Sequence, residues 1–191
     1  MEYKLPGDAT SKDEIKLLVS EVEKQESKGV HLLVNNAGIA QDDRSKYSNG
    51  KLDIKSAQSI SEHLWKADPS GWAATFETNI TAQFFVAAGF LPLLVKAGEN
   101  TPGFSPSIFN ITSISGVMKG SSNGQFAYAT SKTGLIHLMR MMQQYSLRPR
   151  SWLTRKSCIQ REVSFDQRCL VCICSHKCRE YSGPTCMQLT A

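Results

Sequence analysis

One short run does most to limit the folds open to this chain. Val30-His31-Leu32-Leu33-Val34 shows no alternation of apolar and polar residues, and it ends abruptly in Asn35-Asn36-Ala37-Gly38. A strand with one wet face alternates; a nearly continuous apolar run belongs to a strand covered on both faces, as in a parallel sheet with helices above and below. A second run, Ser107-Ile108-Phe109-Asn110-Ile111-Thr112-Ser113, also ends in small polar residues. Parallel neighbours need a crossover of a dozen residues or more, usually a helix. The stretch between the two runs is long enough for one and carries helical patterning, so the expected class is α/β with a doubly wound parallel sheet.

The helices announce themselves through caps and periodicity. Ser11 and Glu14 stand at capping-box spacing, and Ile15, Leu18, Val19 and Val22 follow at i, i+3, i+4 and i+7. Gly29 suits the stop after that helix. Residues 40–60 are polar and irregular and read as a surface loop. Asp68-Pro69 opens the next helix as cap and first residue. That helix carries Trp72, Phe76, Ile80 and Phe84 on one face, with Pro92 bending or ending it. A loop at 98–106 precedes the second strand, and a Gly/Ser-rich loop at 116–124 follows it. A last helix runs from about Phe126 to Tyr145, with Leu135, Leu138 and Met142 on one side.

Charge and cysteine divide the chain in two. Of 191 residues, 22 are basic and 17 acidic, a net charge of +5. Residues 1–147 balance to zero, so the whole excess lies in residues 148–191, together with all six cysteines. The expected organisation is a balanced domain over 1–147 and a basic, Cys-rich tail over 148–191, disordered or foreign to the domain, with the boundary near Leu147–Pro149. Cys169, Cys172, Cys174, His176 and Cys178 are zinc-type ligands, but they lack the two separated pairs of structural zinc sites, so no metal is expected. The tail's charge could attract nucleic acid, yet no recognition motif accompanies it. The most apolar stretch, Phe84 to Val95, contains Gly89 and Pro92 and is shorter than a membrane span of roughly 20 residues. The N-terminus shows no basic segment followed by an apolar one. A soluble, cytoplasmic protein without membrane or specific nucleic-acid partners is expected.

Chemistry in such sheets gathers at the carboxyl ends of the strands. Asn35–Gly38 and Thr112-Ser113 lie at two such ends, and Tyr128 and Lys132 share one helical face one turn apart. An ammonium beside a phenol favours the phenolate and brings the phenol toward a range useful for proton transfer. A nearby serine hydroxyl could hold a carbonyl oxygen while that proton is delivered and a hydride reaches the carbon. Each feature alone has an ordinary reading: a solvated Tyr/Lys pair, an Asn/Gly turn, a strand-end hydroxyl, a polar Asn79 on a helix. Only their order and spacing together point to chemistry.

In that order and spacing, Asn35-Asn36-Ala37-Gly38, Asn79, Asn110-Ile111-Thr112-Ser113 and Tyr128-x-x-x-Lys132 resemble the short-chain dehydrogenase/reductase family, over about residues 3–147. The segment from Ser113 to Tyr128 looks most like fungal reductases of the 3-oxoacyl-carrier-protein type. The resemblance implies a Rossmann-like sheet and a catalytic tetrad of Asn79, Ser113, Tyr128 and Lys132. Tyr128 would be the general acid/base. Lys132 would lower its pKa and hold the nicotinamide ribose, Ser113 would place the substrate oxygen, and Asn79 would support a water leading to Lys132. NADP or NAD would lie against Asp8, Ala9, Asn35, Asn36, Ala37, Gly38, Tyr128 and Lys132, and the substrate would be a small carbonyl or alcohol. Copies of the chain could associate through the helices at 69–97 and 126–145.

Two departures from the family pattern set further expectations. No Gly-x-x-x-Gly-x-Gly turn follows an opening strand, so the chain is expected to begin near the family's third strand, with the N-terminal βαβ unit missing. The Val30–Val34 strand would then have one bare edge, leaving the chain unstable, and without the glycine-rich turn its hold on cofactor would be weak. After Tyr145 the family's Pro-Gly segment is also absent, and the tail reads as the product of an altered reading frame or a retained intron. An inactive truncated product, or a metal or nucleic-acid binder acting through the tail, remain as alternative functions.

Overall fold

The structure is a computed structural model that describes residues 5–42, 52–103, 105–120, 122, 124–145, 157–158, 170–173 and 186–187. Helix α1 is Lys12–Gln25 and strand β1 is Leu32–Asn35. Helix α2 is Ala57–Leu64. A long helical run follows: α3 at Pro69–Phe76, a π-helical turn at Glu77–Ala82, and α4 at Gln83–Asn100. Strand β2 (Ser107–Ile111), a 3-10 turn (Ile114–Gly116) and helix α5 (Phe126–Tyr145) complete the balanced part of the chain. Strands β3 (Ser157–Cys158), β4 (Leu170–Ile173) and β5 (Cys186–Met187) come from the tail.

All pairings are parallel, in the order β3-β2-β1-β4-β5, so the apolar run is central as its composition requires. The bare edge expected on that strand is not found: Leu170–Ile173 pairs along it from Leu32 to Asn35. The sequence Leu-Val-Cys-Ile suits a strand, and its backbone takes up the β1 hydrogen-bonding groups that an open edge would leave exposed. The remainder of the tail, including the Cys/His cluster apart from Cys172 and the expected boundary at 147–149, lies outside the described residues.

The core forms where α1 and α4 cover the sheet, with Ile15, Leu18, Val22, Val30, Leu33, Val86, Phe90, Leu93 and Leu94 buried together. Gly29 shows why no side chain is tolerated at the entry to β1. Its φ is +88°, and a Cβ there would lie 2.4 Å from the Leu93 carbonyl oxygen and 2.5 Å from the Ala97 nitrogen. The closeness lets Val30 N–H donate to that Leu93 oxygen, pinning the strand to the helix.

Two local expectations are corrected. Residues 40–60 are not one loop, because Ser56 caps helix α2 by accepting from Ser59 N–H at 3.2 Å. Pro92 does not end its helix, which continues to Asn100. The lost N–H bond is outweighed by burial of Phe90, Leu93 and Leu94 on either side of it. The face carrying Trp72, Phe76, Ile80 and Phe84 is not the most deeply buried one. Trp72 and Phe84 are exposed, Phe76 stacks on Trp72, and the small residues Gly71, Thr75, Ala82 and Ala87 face inward. The π-helical turn shifts the register along this run, and small inward residues let the helix approach the sheet closely. By length and composition Pro69–Asn100 could cross a bilayer, but 44% of its most apolar window is buried against the rest of the chain.

Candidate active site

The register of the two central strands builds the floor. Asn35 and Asn110 are direct neighbours on β1 and β2, so both polar clusters arrive at the same edge of the sheet. Asn35 Nδ2 donates to Asn110 Oδ1 at 2.9 Å and to the Gln83 carbonyl at 3.4 Å. Gln83 Nε2 in turn donates to the Ala37 carbonyl at 2.8 Å. These buried amides hold the turn after β1 against the start of α4. Asn35 is buried within this set, and Asn36 beside it is half-buried.

Asn79 sits in the π-helical turn and is fully buried. Its Oδ1 accepts from Ile39 N–H at 2.8 Å, and its Nδ2 donates to the Ile39 carbonyl at 2.9 Å and to Ser131 Oγ at 2.9 Å. Ser131 passes the connection on, donating to the Tyr128 carbonyl at 2.7 Å. A π-turn widens the helix by one residue, which lets a buried side chain reach sideways to a neighbouring loop instead of along its own helix. The water-supporting role implied by the family resemblance is thus joined by a direct one: Asn79 clamps the loop after β1 and the helix that carries Tyr128.

Lys132 is 3% exposed, and its ammonium donates to the Ile111 carbonyl at the end of β2, 2.9 Å away. The same ammonium lies 5.7 Å from the centroid of the Tyr128 ring. Burial disfavours the charged form and pulls the Lys132 pKa down to about 8. Gly38 closes the site from the opposite side: a Cβ there would stand 3.2 Å from Lys132 Nζ and 3.3 Å from Asn79 Oδ1. Any larger residue would press on both groups, so the glycine serves close approach.

Ser113 ends the extended segment after β2 and caps the 3-10 turn, accepting from Ser115 N–H at 3.2 Å. That turn is pressed onto α5 at Gly116, where a Cβ would lie 2.9 Å from the Lys132 carbonyl carbon, and Thr133 Oγ1 donates to the Gly116 oxygen at 2.8 Å. Asn79, Lys132, Tyr128 and the Ser113 turn therefore share one corner, at the carboxyl end of β1 and β2. Ala9 shares the buried core with Ala37 of the turn after β1. Asp8 Oδ1 accepts from the backbone and hydroxyl of Thr10, both at 2.8 Å.

Ser131, Gln83, Gly116 and Asp42 carry no signal in the sequence that would single them out. Ser131 sits between Tyr128 and Lys132 with no pattern of its own, and Gln83 reads as an ordinary polar helix residue. Asp42 falls in the stretch assigned to loop, yet its carboxylate accepts from Ala127 N–H at 2.8 Å and Tyr128 N–H at 3.0 Å.

With this corner defined, residues 3–149 match the family model for short chain dehydrogenase. The chain belongs to the short-chain dehydrogenase family. Among its relatives, the short-chain dehydrogenase/reductase PhomF of Diaporthe leptostromiformis is 33% identical over 139 residues, covering 71% of this chain and 45% of that protein. Nodulation protein G of Rhizobium meliloti (strain 1021) is 28% identical over 139 residues, covering 73% of this chain and 45% of that protein. The chain thus spans about half the length of the curated relatives it matches. Two solved structures share the fold. The Pseudomonas aeruginosa RhlG/NADP active-site complex has a TM-score of 0.61 at 19% identity, over 92% of this chain and 54% of that one. An NADPH-bound carbonyl reductase from chicken fatty liver has a TM-score of 0.58 at 21% identity, over 90% of this chain and 55% of that one. Membership in the short-chain dehydrogenase family fits the parallel sheet and a polar corner at its carboxyl edge.

Proposed function

We propose that this chain carries the proton-transfer half of an NADP- or NAD-dependent oxidoreductase, reducing a small carbonyl compound or oxidising the corresponding alcohol. The observation that carries this reading is Lys132: a buried ammonium at a strand's carboxyl end, one helical turn from a phenol. An amine of this kind has three donors, and the Ile111 carbonyl takes one of them among the described residues. The other two suit vicinal hydroxyls such as those of a nicotinamide ribose. The space kept by Gly38 beside Lys132 and Asn79 fits the same end of the cofactor. When bound, the nicotinamide supplies the hydride to carbon or accepts it. In the reducing direction Tyr128 Oη gives its proton to the substrate oxygen as the carbon takes the hydride. The Lys132 ammonium steadies the phenolate left behind. The Ser113 bond to Ser115 N–H uses an oxygen lone pair, so the hydroxyl proton can point at the same substrate oxygen.

Turnover of NADPH or NADH against a panel of small ketones and aldehydes, followed at 340 nm, tests the proposal. Tyr128→Phe should lower kcat by at least about 100-fold, the usual worth of a positioned general acid. Activity that survives the substitution would reject it.

Titration of NADPH fluorescence adds a direct test of cofactor binding: saturable binding is expected, and its absence would count against the proposal. Two further expectations accompany the main proposal. The first is a soluble, cytoplasmic location. The second is association of copies through 69–97 and 126–145, supported by the exposed Trp72, Phe84, Leu91 and Met141, which sedimentation would measure.

A further inference from the structure

The first turn of α5 has N–H groups with no partner inside the helix. A Ser, Thr, Asp or Asn just before the helix usually supplies the missing acceptor. Here the preceding residue is Gln125, which accepts from Ala129 through its backbone but belongs to none of those types. The acceptor is brought in instead from 85 residues away. The two Asp42 oxygens take one N–H each, Oδ1 from Ala127 at 2.8 Å and Oδ2 from Tyr128 at 3.0 Å. A carboxylate there is also favoured by the positive end of the helix dipole.

The segment leading to Asp42 is itself tied down. Ile39 is held at both its N–H and its carbonyl by the Asn79 side chain. Gln41 lies against Gly71, its Cβ 3.4 Å from where a glycine Cβ would be. Asn79 reaches the other side of Tyr128 as well, through Ser131, which donates to the Tyr128 carbonyl. The bonds close a ring: Asn79 to Ile39, along the chain to Asp42, to Tyr128 N–H, from the Tyr128 carbonyl through Ser131, and back to Asn79. Both polar groups of one peptide residue are gripped, and that residue carries the phenol.

We propose that Asp42 is a positioning residue that fixes the Tyr128 backbone through its amide. Its importance for turnover rests on the functional reading above; the clamp itself does not. A misplacement of about 1 Å at a reacting group costs on the order of 100-fold in rate, so the clamp acts on rate and leaves substrate affinity alone.

The test compares Asp42→Ala and Asp42→Asn with the unaltered full-length chain by two measurements. Hydrogen exchange at the Ala127 and Tyr128 amides should accelerate about tenfold or more in Asp42→Ala and by less in Asp42→Asn, which keeps one acceptor. Amides from 134 to 141 should keep their protection and so report an intact helix. In turnover, kcat should fall about 10- to 100-fold in Asp42→Ala with KM within about threefold, and Asp42→Asn should recover part of the loss. Unchanged exchange at Ala127 and Tyr128 overturns the clamp, and unchanged kcat with faster exchange overturns the positioning role. If Asp42→Ala does not fold, exchange and turnover of Asp42→Asn decide both points in the same way. A chain that turns over no carbonyl with either nicotinamide defeats the functional reading, while the exchange rates still judge the clamp.

Discussion

Helices α1 and α5 solve the same problem at their N-termini in opposite ways. At α1 the acceptor is local: Ser11 Oγ takes the Glu14 N–H at 3.3 Å, and the Glu14 carboxylate reaches back to the Asp8 amide. Everything that defines that end lies within seven residues of sequence. At α5 the cap comes from Asp42, the segment leading to it is stitched to Asn79 at Ile39, and the floor beneath is set by strand register. A local cap stabilises a helix wherever that helix sits. An imported cap fixes the helix relative to other elements, and this is what a site assembled from four segments needs.

Substitutions can break the comparison, and the largest effect should come from the stitching residue. Asn79→Ala leaves Ile39 N–H, the Ile39 carbonyl and Ser131 Oγ without their partner, and it should lower the stability of the fold by about 3–4 kcal/mol. Urea unfolding followed by circular dichroism would measure this, and a loss under about 1 kcal/mol would contradict the assigned role.

Lys132 comes next. In the unfolded chain a lysine titrates near 10.5, whereas in the folded one it titrates near 8. Below pH 8 both states hold the proton, and the folded state bears the full cost of a buried charge. Between pH 8 and 10.5 the unfolded state binds more protons, so this residue's contribution to stability improves as pH rises. Lys132→Met should therefore be the more stable protein at pH 7, by up to about 3 kcal/mol, with the advantage shrinking toward pH 10.5. Turnover that depends on the ammonium should decline above about pH 8 in the unaltered chain. Parallel pH profiles of unfolding and of kcat/KM check both signs.

Gly116→Ala should cost about 2 kcal/mol, because its Cβ would meet the Lys132 backbone at 2.9 Å and neither segment can yield freely. Ser11→Ala should have the smallest effect, about 1 kcal/mol, and should leave kcat unchanged, which sharpens the contrast with Asp42. A thermal melt and an activity assay on the same sample suffice for each.

The same contrast explains how much of the molecule is legible in its sequence. The stripe Ile15, Leu18 and Val22, the Asp68-Pro69 helix start and both central strands can be read because short-range periodicity and caps define them. The residues of the proposed tetrad can be named through the family resemblance. Their partners cannot, since Asn79 meets Ile39 and Ser131 across 40 and 52 positions, and only the folded sheet decides such distances. The π-helical turn is equally hidden. It shifts the helix face by a residue from Glu77 onward, and the stripe Trp72, Phe76, Ile80 and Phe84 comes to hold both exposed rings, Trp72 and Phe84, and the half-buried Ile80 that packs toward Gly134. Helix α2 leaves little trace because its eight residues, AQSISEHL, offer only Ile60 and Leu64 as an apolar stripe.

The paired asparagines at the ends of β1 and β2 carry one more consequence. Adjacent residues of a strand face opposite sides, so a slip of one position between these strands would turn Asn110 away and strand both amides in a dry interior. The bond thus works as an alignment key: a sheet assembled one notch out of step loses it at once, and with it the shared rim on which the polar corner stands. Misaligned chains would be blank rather than sluggish, and selection for activity would at the same time be selection for correct assembly.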